Sequence, residues 1–116
     1  MDEASDSTGT DGFVVVLVTA PNEKVAAQLA RALVEEKLAA CVNILPGVRS
    51  IYAWQGKTCD EPEVLCTVKT RASLLAAVRN RVITLHPYEV PEVIALPIVG
   101  GSTSYLHWLR SETRDP

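Results

Sequence analysis

Phe13-Val14-Val15-Val16-Leu17-Val18, followed by Thr19-Ala20-Pro21-Asn22, is the stretch on which the fold turns. Six apolar and mostly β-branched residues make a run of strand length. With no polar position among them, the strand should be buried on both faces and central in its sheet. Thr19-Ala20-Pro21 stops it, and Asn22 is placed to cap a helix, its side chain accepting a backbone N–H while Glu23 suits the positive helix end. In the helix that follows, Val25, Leu29 and Leu33, with Ala26, Ala30 and Val34 beside them, recur at three- and four-residue steps and predict one core-facing stripe up to about Lys37. Glu35, Glu36 and Lys37 are expected in solvent.

Downstream, Ala39 to Ile44 resumes strand character, Pro46-Gly47 bends or bulges it, and Val48 to Trp54 continues it as one long, kinked strand. Gln55-Gly56-Lys57 reads as a turn. Val64, Cys66 and Val68 alternate to one face, which predicts a hairpin partner. Thr70 is a candidate cap for a second helix, in which Leu75, Val78, Val82 and Leu85 form the buried stripe and Arg71, Arg79 and Arg81 stay wet. His86-Pro87 ends that helix, because the residue before proline avoids helical geometry. Val93 to Leu96 is a fourth strand, with Pro97 marking an edge or a break. Ser102-Thr103-Ser104 then starts a short helix carrying Tyr105, Leu106, Trp108 and Leu109. The order β-α-β-β-α-β plus a C-terminal helix predicts an α+β, ferredoxin-like domain over residues 13–112, between an acidic tail at 1–12 and a short one at 113–116.

This topology bears on assembly. Right-handed crossovers put both main helices on one face of the four-stranded sheet, yet the first strand is apolar on both. Either the C-terminal helix folds over the second face or another copy covers it, and the expectation here is another copy, with the long second strand and its hairpin reaching across.

The 116 residues are 47% hydrophobic and 22% charged, which suits one globular domain. The longest apolar run is far short of the roughly 20 residues of a spanning helix, so no membrane crossing is expected. A net charge of −3 leaves no footprint for nucleic-acid phosphates. Met1 to Gly12 carries three Asp and one Glu, with neither a basic start nor an apolar stretch, and is read as a disordered tail and not as a secretory signal. Cys41, Cys59 and Cys66 lack paired motif spacing, and a reducing, cytoplasmic setting is expected.

Six segments, in order, resemble the CutA divalent-cation tolerance family: Val15 to Pro21, Glu36 to Asn43, Ser50 to Lys57, Val68-Lys69-Thr70, His86 to Glu92, and Tyr105 to Leu109. The resemblance spans roughly residues 13 to 110. It implies a ferredoxin-like fold, a homotrimer similar in architecture to the PII signalling proteins, and a link to tolerance of copper and other divalent metals. It also implies copper ligands at a first-strand cysteine and a histidine pair before Pro-Tyr. The matching positions here are Val18, which has no ligating atom, and Leu85 followed by His86, so His86 alone of that set remains. A single remaining ligand predicts weak, unselective binding of copper or another divalent cation.

Among individual residues, His86, Glu89 and Glu92 form the candidate metal site, since imidazole and carboxylates suit divalent ions. His86 reads equally as a helix-end residue bonding the last carbonyls. Lys69, Tyr88 and Tyr52 are candidates for a ligand cleft, with Lys69 positioned to neutralise an anion or to pair with Glu89 or Glu92. Tyr52, Trp54 and Trp108 are candidate anchors of the trimer interface. Cys41 and Cys66 read as small buried hydrophobes and Cys59 as the most exposed of the three thiols. His107 is expected at the surface.

An enzyme reading lacks a nucleophile in a recognisable elbow, and Thr19-Ala20-Pro21-Asn22 stands where an acylphosphatase of the same fold has its glycine-rich phosphate loop. An RNA-binding reading lacks stacking aromatics on the first strand beyond Phe13, and the net charge is negative. A binding protein remains, as a metal-tolerance protein or as a trimeric sensor or scaffold taking an anionic metabolite or a protein between subunits. His86, Glu89 and Glu92 favour the first; Lys69, Arg49 and Arg71 favour the second.

Overall fold

The computed structural model describes residues 12–116. The acidic segment at the N-terminus therefore lies outside the described residues, apart from Gly12. The elements run β1 (Phe13–Ala20), α1 (Glu23–Glu35), β2 (Cys41–Trp54), β3 (Lys57–Arg71), a single 3-10 turn (Ala72–Leu74), α2 (Leu75–Leu85), β4 (Ile94–Ile98) and α3 (Thr103–Ser111). The sheet order is β2-β3-β1-β4 with every neighbouring pair antiparallel. This is the predicted ferredoxin-like α+β arrangement, with the all-apolar strand in the interior and the proline-bearing strand at an edge. Among the described residues no helix is long and apolar enough to cross a membrane.

Alternation along β1 divides its side chains between two environments. Val14, Val16, Val18 and Ala20 enter the main core with Leu29 and Leu33 of α1, Val64, Cys66 and Val68 of β3, and Val78 and Val82 of α2. Asn22 caps α1 as predicted, its Oδ1 accepting the Val25 N–H at 2.9 Å. The other face carries Phe13, Val15 and Leu17. Only its Phe13 end is covered: Leu106 and Leu109 of α3 pack there with Ala40 and Ile98, and the Arg110 guanidinium lies 5.1 Å above the Phe13 ring. Val15 and Leu17 stay half-buried, while Leu45, Ile94 and Leu96 are exposed, Leu96 by 53%. The C-terminal helix thus closes one end of the second face and leaves an apolar strip beside it.

The hairpin is longer than the sequence predicted. β3 begins directly after the turn, so the polar stretch from Thr58 to Glu63 is strand and not loop end, paired with Val48 to Trp54. Gln55 and Gly56 both take positive φ, 50° and 80°, in the two-residue turn whose twist matches a hairpin. Of the bend or bulge expected at Pro46-Gly47, the structure has the bulge: Leu45 pairs with Leu65 and Val48 with Glu63, so β2 advances by one residue more than β3. Gly47 supplies the positive φ this requires, 85°. The extra residue shifts the alternation. Tyr52 and Trp54 therefore share a face with Cys41, Asn43 and Leu45, and not with Val42 and Ile44, which pack against the helix-side core.

β3 also runs further than expected at its other end, and this overturns two readings. Thr70 is not a helix cap; it pairs with Val14, and its hydroxyl donates to the Leu38 carbonyl at 2.6 Å. Arg71 is not wet. It is buried, and its guanidinium donates to Thr113 Oγ1 at 3.1 Å and the Arg114 carbonyl at 2.6 Å, and pairs with Asp115. Leu85, placed in the buried stripe, is exposed at the end of α2. Cys66 is buried as expected, but Cys41 is only half-buried, as is Cys59. All three thiols are free.

Candidate ligand cleft

The cleft lies where the hairpin leaves the body of the sheet, opposite the proline-bounded loop of residues 86–92. It has a volume of about 770 Å³. β2 contributes Arg49, Tyr52 and Trp54, β3 contributes Glu63, the end of β1 contributes Thr19, and the loop contributes Tyr88, Glu89, Val90 and Glu92.

His86 organises the loop. Its Nε2–H donates to the Thr19 carbonyl at 2.7 Å and its Nδ1 accepts the Tyr88 N–H at 3.1 Å, which defines a neutral ring with both nitrogens in use. The side chain is buried, and its ring stands 4.5 Å from that of Tyr88 at a tilt of 52°. Tyr88 in turn donates its hydroxyl to Glu63 Oε2 at 2.7 Å. Tyr52 does the same to Glu61 Oε1 at 2.5 Å. Arg49 is held by Asp60 through two parallel bonds of 2.8 and 2.7 Å, which keep the Asp60 carboxyl below the usual carboxylate range.

Burial, reinforced by the bond to Glu63, pushes the Tyr88 phenol well above its ordinary value. A raised tyrosine pKa means that the folded chain favours the protonated form. The stabilisation is then complete below the unfolded value near 10 and disappears as pH rises through the folded value. The expected result is that the absorbance difference between wild type and Tyr88→Phe shows a phenolate appearing only in strong alkali. A difference titrating near pH ~10 would mean that the bond to Glu63 is absent in solution.

Of the residues singled out from sequence, the structure brings Tyr52, Trp54, Tyr88, Glu89 and Glu92 to one cleft. It places Lys69 elsewhere: six residues along β3 from Glu63, about 20 Å at strand rise, hydrogen-bonded to Asn43 Oδ1. His86 supports the cleft from behind and does not line it. Trp108 lies on the exposed side of α3, its ring 5.4 Å from that of Tyr105, and His107 is exposed as expected. Glu63 was missed. It stands between Pro62 and Val64 with no motif around it, and only the register with Val48 reveals it. Among the described residues no three His, Cys, Asp or Glu side chains converge into a group that could hold a metal ion. With both ring nitrogens of His86 engaged as well, the described donor set does not fit a resident metal.

Residues 14–112 match the model of the family described as CutA1 divalent ion tolerance protein. The chain belongs to that family. A "Divalent-cation tolerance protein CutA" of Thermus thermophilus is 54% identical over 99 residues, covering 85% of this chain and 96% of that protein. "Protein CutA, chloroplastic" of Arabidopsis thaliana is 51% identical over 110 residues, 95% of this chain but only 60% of the relative's length. Among solved structures, CutA1 from Oryza sativa superposes with a TM-score of 0.89 at 50% identity, covering 92% of this chain and 98% of that one. The ferredoxin-like fold is thus that of the CutA1 family, whose descriptions name tolerance of divalent ions and no reaction.

Proposed function

We propose that this chain acts in divalent-cation tolerance as a homotrimeric binding protein and not by catalysis, in a reducing compartment such as the cytoplasm. The observation that carries the reading is the 54% identity to the Thermus thermophilus relative, named for that role, across nearly that protein's whole length. The exposed apolar strip of Leu45, Ile94 and Leu96, which α3 leaves uncovered, supports self-association. Exposed Tyr52, Trp54 and Trp108 are the anchors we assign to the interface. Three free thiols fit a reducing setting.

Copper enters the proposal as a weakly held ion. Ligation by His86 requires release of Tyr88 N–H or loss of the Thr19 bond, with Glu89 or Glu92 assisting, and this opposes tight binding. Light scattering coupled to gel filtration should give three times the 12.6 kDa chain mass, and calorimetric titration with Cu²⁺ should show weak binding that His86→Ala diminishes. A dominant species of 12.6 kDa would overturn the assembly. Tight stoichiometric uptake that survives His86→Ala would overturn the metal reading.

A further inference from the structure

We propose that residues 113–115 form a strap, caught by the buried Arg71 guanidinium, that holds α3 as a detachable cover over the Phe13 end of the second sheet face. The proposal goes beyond the tolerance role and concerns one chain, independently of the trimer.

α3 is poorly equipped to keep its place unaided. It has nine residues, fewer than the roughly 12 to 15 at which an isolated helix becomes even marginal in water. The Ser102 side chain does not cap its start and meets Ser104 Oγ instead. Leu106 and Leu109 are its buried residues, and they pack with Phe13, Ala40 and Ile98 in a small cluster apart from the main core. A unit with so little apolar burial stands at the low end of local stability.

The chain that follows α3 supplies the fastening. Arg71 is 5% exposed, and three successive residues converge on its guanidinium: Nε–H donates to Thr113 Oγ1 at 3.1 Å, and the second nitrogen donates to the Arg114 carbonyl at 2.6 Å and to Asp115 Oδ1 at 3.2 Å. Thr113 is buried too, and its hydroxyl hydrogen turns back to α3, where the Leu109 and Arg110 carbonyls each lie 3.1 Å away. One hydroxyl thus joins the guanidinium to the last turn of the helix. Arg114 N–H donates to the Lys37 carbonyl at 2.8 Å, a second fixed point at the corner after α1. The Asp115 side chain is 98% exposed, so its ion pair adds little. The bonds to Thr113 and the Arg114 carbonyl are the catch, because a buried guanidinium is costly to deprive of acceptors. Opening the strap would uncover Phe13, Ala40 and Ile98. Phe13 pairs with Ile98 as Val15 pairs with Leu96, so the uncovered end continues the apolar strip already exposed there. The strap therefore sets how much of the second face is open to association.

Amide hydrogen exchange on the full chain tests this, comparing peptides from α3 and the strap with peptides from α1 and α2. The variants are Arg71→Met, which replaces the guanidinium by an unbranched apolar chain, and the milder Thr113→Val, which keeps the shape of the side chain and removes the acceptor. Both should speed exchange across α3, Arg71→Met by about tenfold or more, with α1 and α2 exchanging as in wild type. Binding of a dye that reports exposed apolar surface should rise alongside. If Arg71→Met fails to fold, Thr113→Val decides. The proposal is overturned if α3 exchanges at the wild-type rate in the folded variants, or if α1 and α2 accelerate in step with α3, since the strap would then be an inseparable part of the whole fold. Light scattering on the same samples reports the trimer separately, so loss of assembly and release of the strap are read as distinct results.

Discussion

Trp54→Ala is expected to make the assembly dissociate on dilution while the single chain keeps its fold. Trp54 stands one residue before the hairpin turn, belongs to neither core cluster and is 39% exposed in the isolated chain. Its loss should therefore leave the circular dichroism of the monomer unchanged. In the proposed trimer the same ring is covered, and truncating a fully packed aromatic typically costs about 3 to 5 kcal/mol. Each 1.4 kcal/mol is tenfold in a dissociation constant, so the variant should leave the trimeric state at concentrations where wild type remains in it. Light scattering over a dilution series measures this directly. A variant that stays trimeric throughout would place the interface away from the arm.

Leu33→Ala should have the opposite signature, a large loss of stability originating inside the chain. Leu33 is 1% exposed in the core between α1 and the sheet. Emptying such a site costs about 2 to 5 kcal/mol, depending on how far the surroundings collapse, against a total of about 5 to 15 kcal/mol for an ordinary domain. For a chain of this size the thermal midpoint should fall by at least about 8 °C. Thermal unfolding of wild type and variant at one fixed protein concentration would check it, because assembly couples the midpoint to concentration. A shift under 1 °C would mean that the helix–sheet core is not packed as described.

How far the sequence could be read depended on whether a segment had one wet side and one dry side. α1 and the inner half of β3 do, and their positions followed from the period, whereas β1 was legible as an unbroken apolar run of strand length. The outer half of the hairpin has solvent on both sides, so Thr58 to Glu63 carries no alternation, and its polar residues resembled a loop end. Thr70 and Arg71 suit a helix cap and a wet helix face by local preference. Pairing with Val14 and Phe13 holds them in the strand instead, and the buried guanidinium is satisfied by residues more than forty positions away. The cleft was half legible. Tyr52, Trp54 and Tyr88 announced themselves as aromatics in unusual settings, whereas Glu63 depended on strand register, and the contact of His86 with Thr19 joins residues 67 apart. Lys69 was grouped with Tyr88 because both carry distinctive chemistry, and only the strand geometry separates them.

The surplus residue between Leu45 and Val48 gives the arm one residue of slack. β3 runs through the bulge without an extra residue of its own, so it is β3 that fixes which side each outer position of β2 takes. Removing one residue there would let the two strands pair without interruption, with Leu45 still opposite Leu65, Val48 still opposite Glu63, and Tyr52 and Trp54 still opposite Cys59 and Lys57. A one-codon deletion at this place is therefore expected to straighten the local kink and keep the aromatic side of the arm where it is.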